Sequence, residues 1–181
     1  MYINNIIGLD EIVEKNEREH QVFQDEVEEV FYNRPKFRKG QKGKYEGEDL
    51  YYAYGRTDAG RYLFVVFIYK KTHDALIISA RDMDETKGDD MPKNKKPIPD
   101  EFKSIAEIQD FWDENSSADY WDDMEDVDLQ LSPSLKARLE LKKLYSLLNF
   151  SSTQIAAIEA KAKREKVSSK QIISKWILEH V

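Results

Sequence analysis

Apolar positions fall at helical spacing twice near the start of the chain. Leu9, Ile12 and Val13 make one stripe; Val22, Phe23, Val27, Val30 and Phe31 make a stronger one, which Asn33 and Pro35 stop. Three strand candidates follow. Residues 50–54 are aromatic, residues 62–69 are apolar nearly throughout, and residues 75–80 are short and rich in β-branched side chains. Thr57-Asp58-Ala59-Gly60 reads as a hairpin turn between the first two, and Lys71-Thr72-His73-Asp74 as the next. Two helices followed by an antiparallel meander predict an α+β module with its helices on one face of the sheet.

Further along, Ser104-Ile105-Ala106-Glu107 is a capping box that opens a helix with Ile105, Ile108, Phe111 and Trp112 on one face. Asp119-Tyr120-Trp121-Asp122-Asp123 then places large rings among carboxylates. Such a stretch folds on a partner, anchored by rings and steered by charge, or its rings fill the chain's own core. Both hold if the partner is residues 1–90 of the same chain. From Ser132 the pattern changes again. Ser132-Pro133 starts a short helix through Leu139, and residues 143–150, with Leu144, Ser146, Leu148 and Phe150 on one side, read as a strand. Two more capping boxes follow, Ser151 with Gln154 and Ser168 with Gln171. Strand, helix, helix is the order of a ribbon-helix-helix unit. So small a unit hardly buries a core alone, which predicts a homodimer sharing a two-stranded ribbon. Lys143, Tyr145, Leu147 and Asn149 would face outward, with Lys143 on phosphate and Asn149 on an adenine edge of operator DNA.

Charge divides the chain into blocks. The 181 residues carry 28 basic and 35 acidic side chains, a net charge of −7. Residues 100–130 hold twelve acids and a single base, Lys103, whereas residues 131–181 hold ten bases and four acids. A uniformly basic nucleic-acid coat is excluded, and serial modules with an acidic piece open to a basic partner are implied. The piece is also consistent with a solvated acidic loop. Residues 86–99 have linker composition, with Pro92, Pro97 and Pro99 among lysines. The expected division is residues 1–86, a linker at 87–99, the acidic segment at 100–131 and the dimerisation module at 132–181.

The absence of cysteine excludes disulfides, thiolate zinc sites and a cysteine nucleophile. The longest apolar run, residues 63–69, is far below the roughly 18 residues of a spanning helix. Residues 1–10 have no basic n-region, so no signal peptide is visible and a cytoplasmic location without membrane contact is expected.

Six bases, Arg34, Lys36, Arg38, Lys39, Lys42 and Lys44, run without an acid between them, close to Phe37 and Tyr45. Such a run suits a phosphate backbone with bases stacked on rings. Arg56, Arg61 and Arg81 fall at strand ends, where they are candidates to converge on one surface. Histidines stand only at 20, 73 and 180, too scattered in sequence to predict a metal centre, and no cofactor is expected. RNA cleavage here would be metal-independent. It needs a base for the 2′-hydroxyl, cations on the phosphate and an acid for the leaving oxygen. Arginines supply the cation, and Glu48 or His20 the proton transfer. The bland alternative is a surface charge at each arginine and a packed or capping histidine.

Gly47-Glu48-Asp49-Leu50-Tyr51-Tyr52-Ala53-Tyr54-Gly55-Arg56-Thr57-Asp58-Ala59-Gly60-Arg61, followed by a hydrophobic strand and Ile77-Ile78-Ser79-Ala80-Arg81, resembles the BrnT-type toxins. These are small RelE-like ribonucleases of toxin–antitoxin pairs. The resemblance covers roughly residues 9–84 and includes Glu19-His20-Gln21-Val22. It implies a RelE-like fold with His20, Glu48, Arg56, Arg61 and Arg81 on motif positions, and the bases from Arg34 to Lys44 as RNA contacts. The short charged helix that usually follows the Ser-Ala-Arg motif in that family is cut to residues 82–88 here. Residues 97–104, Phe111-Trp112-Asp113 and Asp119-Tyr120-Trp121-Asp122 resemble BrnA/CopG-type antitoxins, and Met91 falls where one would begin. The two resemblances together imply a toxin–antitoxin fusion. Phe111, Trp112, Asp119, Tyr120, Trp121 and Asp122 would neutralise the toxin half, in the same chain or swapped between two. The module after them would repress an operator. The alternatives are a DNA-binding regulator or a dimeric interaction protein whose toxin half is inactive.

Overall fold

The computed structural model describes residues 1–43, 47–83 and 95–180. They form two compact units, Met1–Leu135 and Lys136–Val181.

The first unit is built on a six-stranded sheet in the order β2-β6-β5-β4-β3-β7. β3 (Lys36–Lys39), β4 (Leu50–Arg56), β5 (Tyr62–Tyr69) and β6 (Asp74–Asp82) are antiparallel neighbours. β2 (Asn5–Ile7) adds parallel to β6, and β7 (Glu125–Val127) adds antiparallel to β3. β1 (Tyr2–Ile3) pairs with β8 (Gln130–Leu131) in a small parallel sheet. The expected turns form. Thr57 N–H donates to the Arg61 carbonyl at 2.8 Å, with Gly60 at φ +93°, and Lys70 N–H donates to the Asp74 carbonyl at 2.8 Å.

Side chains alternate across this sheet, so it has two apolar faces. On one face, Phe37, Tyr51 and Phe67 meet the helical layer: α1 (Asp10–Lys15), a π-helical turn over Asn16–His20, and α2 (Gln24–Tyr32). Phe31 of α2 packs edge-on to Phe67 at 5.3 Å and Phe37 at 5.8 Å. The buried Asn16 accepts the Ala80 N–H at 3.2 Å, tying the π-turn to β6.

On the other face lie Leu50, Tyr52, Phe64, Val66 and Ile78. The acidic segment covers them with Phe102, Ile108, Phe111, Trp112, Tyr120 and Trp121, all buried. α3 (Ile105–Glu114) starts as expected, Ser104 Oγ accepting the Glu107 N–H at 3.1 Å, though Glu107 reaches back to the Lys103 N–H. Trp112 is fully buried, 5.1 Å from Tyr52 and 5.2 Å from Phe64. Aromatic pairs of this kind add about 0.5–1.5 kcal/mol each beyond area burial. The rings therefore complete the core of the unit, and the carboxylates of Asp119 and Asp122 face solvent.

The second unit corrects the sequence reading. The strand expected over residues 143–150 is helical: α4 runs Pro133–Leu147, well past Leu139. The alternation of Leu144, Ser146, Leu148 and Phe150 contains an i, i+4 pair and continues a helical stripe from Leu135 and Leu139. Leu, Lys, Ala, Arg and Glu between them favour the helix, and β-branched residues are absent from the stretch. Asn149 ends it in the left-handed region at φ 51°. Its N–H donates to Ser146 at 3.0 Å and the Phe150 N–H to Tyr145 at 3.1 Å, a Schellman cap with the Phe150 and Tyr145 rings 6.2 Å apart. α5 (Ser152–Glu165) and α6 (Ser169–Glu179) carry the two expected capping boxes. The unit is three helices around Tyr145, Ile158, Ala162, Ile172 and Ile173. It holds no ribbon among the described residues.

Candidate functional site

The sequence candidates divide between the two ends of the sheet. Arg56 ends β4, Arg61 precedes β5 and Arg81 lies near the end of β6, so the three share one end. Glu48 precedes β4 at the other. β4 runs seven residues from Leu50 to Arg56, about 20 Å end to end at ~3.3 Å per step, and so sets it apart from Arg56. Its carboxylate is paired with Lys70 Nζ at 2.6 Å. The pairing of Glu48 with the arginines in one site is therefore corrected by the topology.

Arg61 is a clamp. Nε and Nη2 grip the Asp82 carboxylate at 2.5 and 2.8 Å, Nη1 donates to the Gln21 carbonyl at 2.7 Å and to Glu26 at 3.2 Å, and Nη2 also reaches the His20 carbonyl at 3.0 Å. Asp82 above all, then Glu26, holds the guanidinium charged well beyond its ordinary range. Its donors bind the π-turn, α2 and β6 together. Arg56 is exposed, with its guanidinium 5.8 Å from the Tyr62 ring centre. Gly60 permits this: a Cβ there would stand 2.9 Å from Arg56 Nη2.

Four basic groups, two from the sheet and two from the helical layer, meet the acidic segment. Arg81 Nη2 donates to the Asn115 carbonyl at 2.7 Å. His20 Nε2 lies 3.3 Å from Asp113, whose other oxygen is 3.4 Å from Lys15 Nζ. Arg38 pairs with Asp126, donates through Nε to the Trp121 carbonyl at 3.2 Å, and has its guanidinium 4.8 Å from the Trp121 ring centre.

The basic run is split by the strand it forms. Arg38 shares a face with Tyr52 and Tyr54 beneath the segment, while Arg34, Lys36, Lys39 and Lys42 are exposed; Lys44 and Tyr45 lie outside the described residues. Asp113 and Asp126, rather than Asp119 and Asp122, deliver carboxylates to the bases. Asp113 was legible: one residue after Trp112, it is turned about 100° from a ring that faces the core, onto the flank of α3. Glu19, His20 and Asp113 also bring possible ligand atoms within 4.8 Å of one another. Lys15 Nζ already stands 3.7 Å from Glu19 and 3.4 Å from Asp113, supplying positive charge to both carboxylates. In the second unit, Tyr145 is buried and Asn149 caps α4, so Lys143, Tyr145 and Asn149 do not share the edge of a ribbon.

Among the described residues no helix is long and apolar enough to cross a membrane. Residues 10–86, less than half of the chain, match the family described as ribonuclease toxin, BrnT, of type II toxin–antitoxin systems. The match begins at α1 and covers β3 to β6, so the toxin-like part is the meander with its helical layer, without β2 and β7. No curated protein matches the chain.

Proposed function

We propose that the chain is a toxin–antitoxin fusion that keeps its own ribonuclease-like domain silent. The observation that carries this reading is the coverage of a BrnT-like sheet by an acidic, ring-bearing segment of the same chain, with Arg38, Arg81 and His20 all engaged by it. Uncovered, the face offers cations along an RNA backbone in Arg81, Arg38 and the exposed Arg56. His20 is the general base for the 2′-hydroxyl. In-line attack on phosphorus, with the 2′-hydroxyl proton passing to His20, would leave a 2′,3′-cyclic phosphate and release the 5′-oxygen, which takes its proton from water. A tether holds the segment at an effective concentration on the order of millimolar, enough to maintain weak contacts.

The test is a chain with a protease site inserted after Gly88, cut, separated in denaturant and refolded. The N-terminal piece should degrade RNA, lose that activity with Arg81→Ala, and be silenced again by the C-terminal piece. A folded N-terminal piece without activity would leave the regulator reading in its place.

For the second unit the reading is pairing with another copy and binding to operator DNA. Leu147, Ile177 and Leu178 are exposed at 70, 52 and 78 %, and ten bases face four acids over residues 131–181. Light scattering and the salt dependence of DNA binding test the two parts separately. A monomer whose DNA affinity does not respond to salt would refute both.

A further inference from the structure

We infer that Trp121 occupies a nucleobase-stacking slot on the sheet, and that single-stranded RNA enters this slot when the ring leaves. The inference rests on the RNA-directed reading above and names where a base would sit.

Trp121 and Trp112 belong to the same segment and the same core, yet their surroundings differ. Trp112 is enclosed by rings: Tyr52, Phe64, Phe111 and Tyr120 lie 5.0–5.6 Å away. Trp121 has Tyr54 at 5.6 Å, Phe64 at 6.3 Å and the Arg38 guanidinium 4.8 Å from its ring centre. That guanidinium also donates to the Trp121 carbonyl and pairs with the Asp126 carboxylate. Arg38 thus meets a flat ring, a neutral oxygen and an anionic oxygen, which is the set of groups one nucleotide presents.

The slot is continuous with an open one. Tyr54 stacks on Tyr62 at 5.5 Å and 28°, and Arg56 lies over Tyr62, which is 49 % exposed. The sequence of groups across the sheet is Arg38, Trp121, Tyr54, Tyr62, Arg56. Four of the five come from β3, β4 and the start of β5, where the pairs Arg38–Tyr52, Lys36–Tyr54 and Arg56–Tyr62 set them on one face. Trp121 is the one member supplied by the acidic segment. Rings interleaved with cations are the general platform for single strands, where bases stack and phosphates find charge between them.

The probe is a fluorescein-labelled, 2′-O-methylated adenosine tetranucleotide, which cannot be cleaved through its 2′-oxygen. Binding is measured on the full chain, with folding followed by near-ultraviolet circular dichroism. Trp121→Ala should bind at least about tenfold more tightly than the unaltered chain, and Trp121→Ala/Arg38→Ala should lose that gain. A folded Trp121→Ala with unchanged affinity, or a gain that survives loss of Arg38, overturns the inference. Should Trp121→Ala not fold, the unaltered chain decides. Excess tetranucleotide should then speed proteolysis within residues 117–126, and an unchanged rate overturns it. Ring-dependent binding without RNA cleavage by the released domain would leave this inference standing and remove the ribonuclease reading. Cleavage without ring-dependent binding would do the reverse.

Discussion

Gln109 Nε2 donates to the backbone carbonyl of Ile78 at 2.8 Å, at the point where the β5–β6 register slips. Val66 pairs with Ser79 and Phe67 with Ile77, so Ile78 is the residue the ladder skips. A bulge leaves backbone groups unpaired, and a buried one is costly. Here a side chain from the acidic segment answers a need created within the toxin-like sheet. Its Oε1 is satisfied in turn by Lys15 Nζ at 3.2 Å.

Gln109→Leu keeps the volume and removes the donor. The buried Ile78 carbonyl is then left without it, which costs about 1–3 kcal/mol. Urea unfolding should show a lower midpoint with an unchanged slope. An unchanged midpoint would mean that water serves the bulge equally well.

Trp112→Ala opens a cavity between α3 and the sheet, at a cost of about 3–5 kcal/mol. Trp112→Phe should recover a good part of it, since most surrounding contacts are ring edges. Thermal unfolding of the three proteins gives the order directly.

Arg61→Lys separates a clamp from a simple cation. A lysine keeps the charge but cannot grip Asp82 with two parallel bonds while reaching two carbonyls. Stability should fall by about 1.5–3 kcal/mol, close to the loss in Arg61→Ala. Full rescue by lysine in a melting experiment would show that charge alone matters there.

Asn149 is held left-handed, so the backbone decides what it tolerates. Asn149→Gly should leave the melting of the second unit within about 0.5 kcal/mol, whereas Asn149→Val should cost about 1–2 kcal/mol. Equal effects of the two would contradict the cap.

Burial pushes the Tyr52 phenol above its ordinary range, and its hydroxyl donates to Gln41 Oε1 at 2.7 Å. The folded state therefore keeps a proton that the unfolded chain releases near pH 10. Stability is full below that pH and declines as pH rises above it. Unfolding curves between pH 9 and about 11.5 should fall steadily, and Tyr52→Phe should flatten the decline. A Tyr52→Phe curve parallel to that of the unaltered chain would assign the decline to other groups, such as Tyr51, also raised by burial.

How much of this was legible depended on whether a residue's partner lay nearby in sequence. The β5 strand was read to the residue, because an unbroken apolar run between two turn signals admits few alternatives. The serine caps of α3, α5 and α6 were equally plain, since each is a local bond. β7 was not readable: Glu125-Asp126-Val127 has no strand pattern and is extended because β3 offers it a ladder. At the C-terminal end of α4, four alternating residues are too short a window to separate period 2 from period 3.6. Motif positions brought Glu48 into one group with the arginines because they carry no direction along a strand.

β7 has one further consequence. The outer edge of β3 is a row of backbone donors and acceptors, the kind of border along which sheets of separate molecules join and grow. Three residues close it, and two of them, Glu125 and Asp126, are exposed acids. Like charge then faces any molecule that approaches along that border. The segment that covers the sheet's aromatic face thereby also serves as a barrier against fibre-like association, and a chain ending before residue 125 would forfeit it.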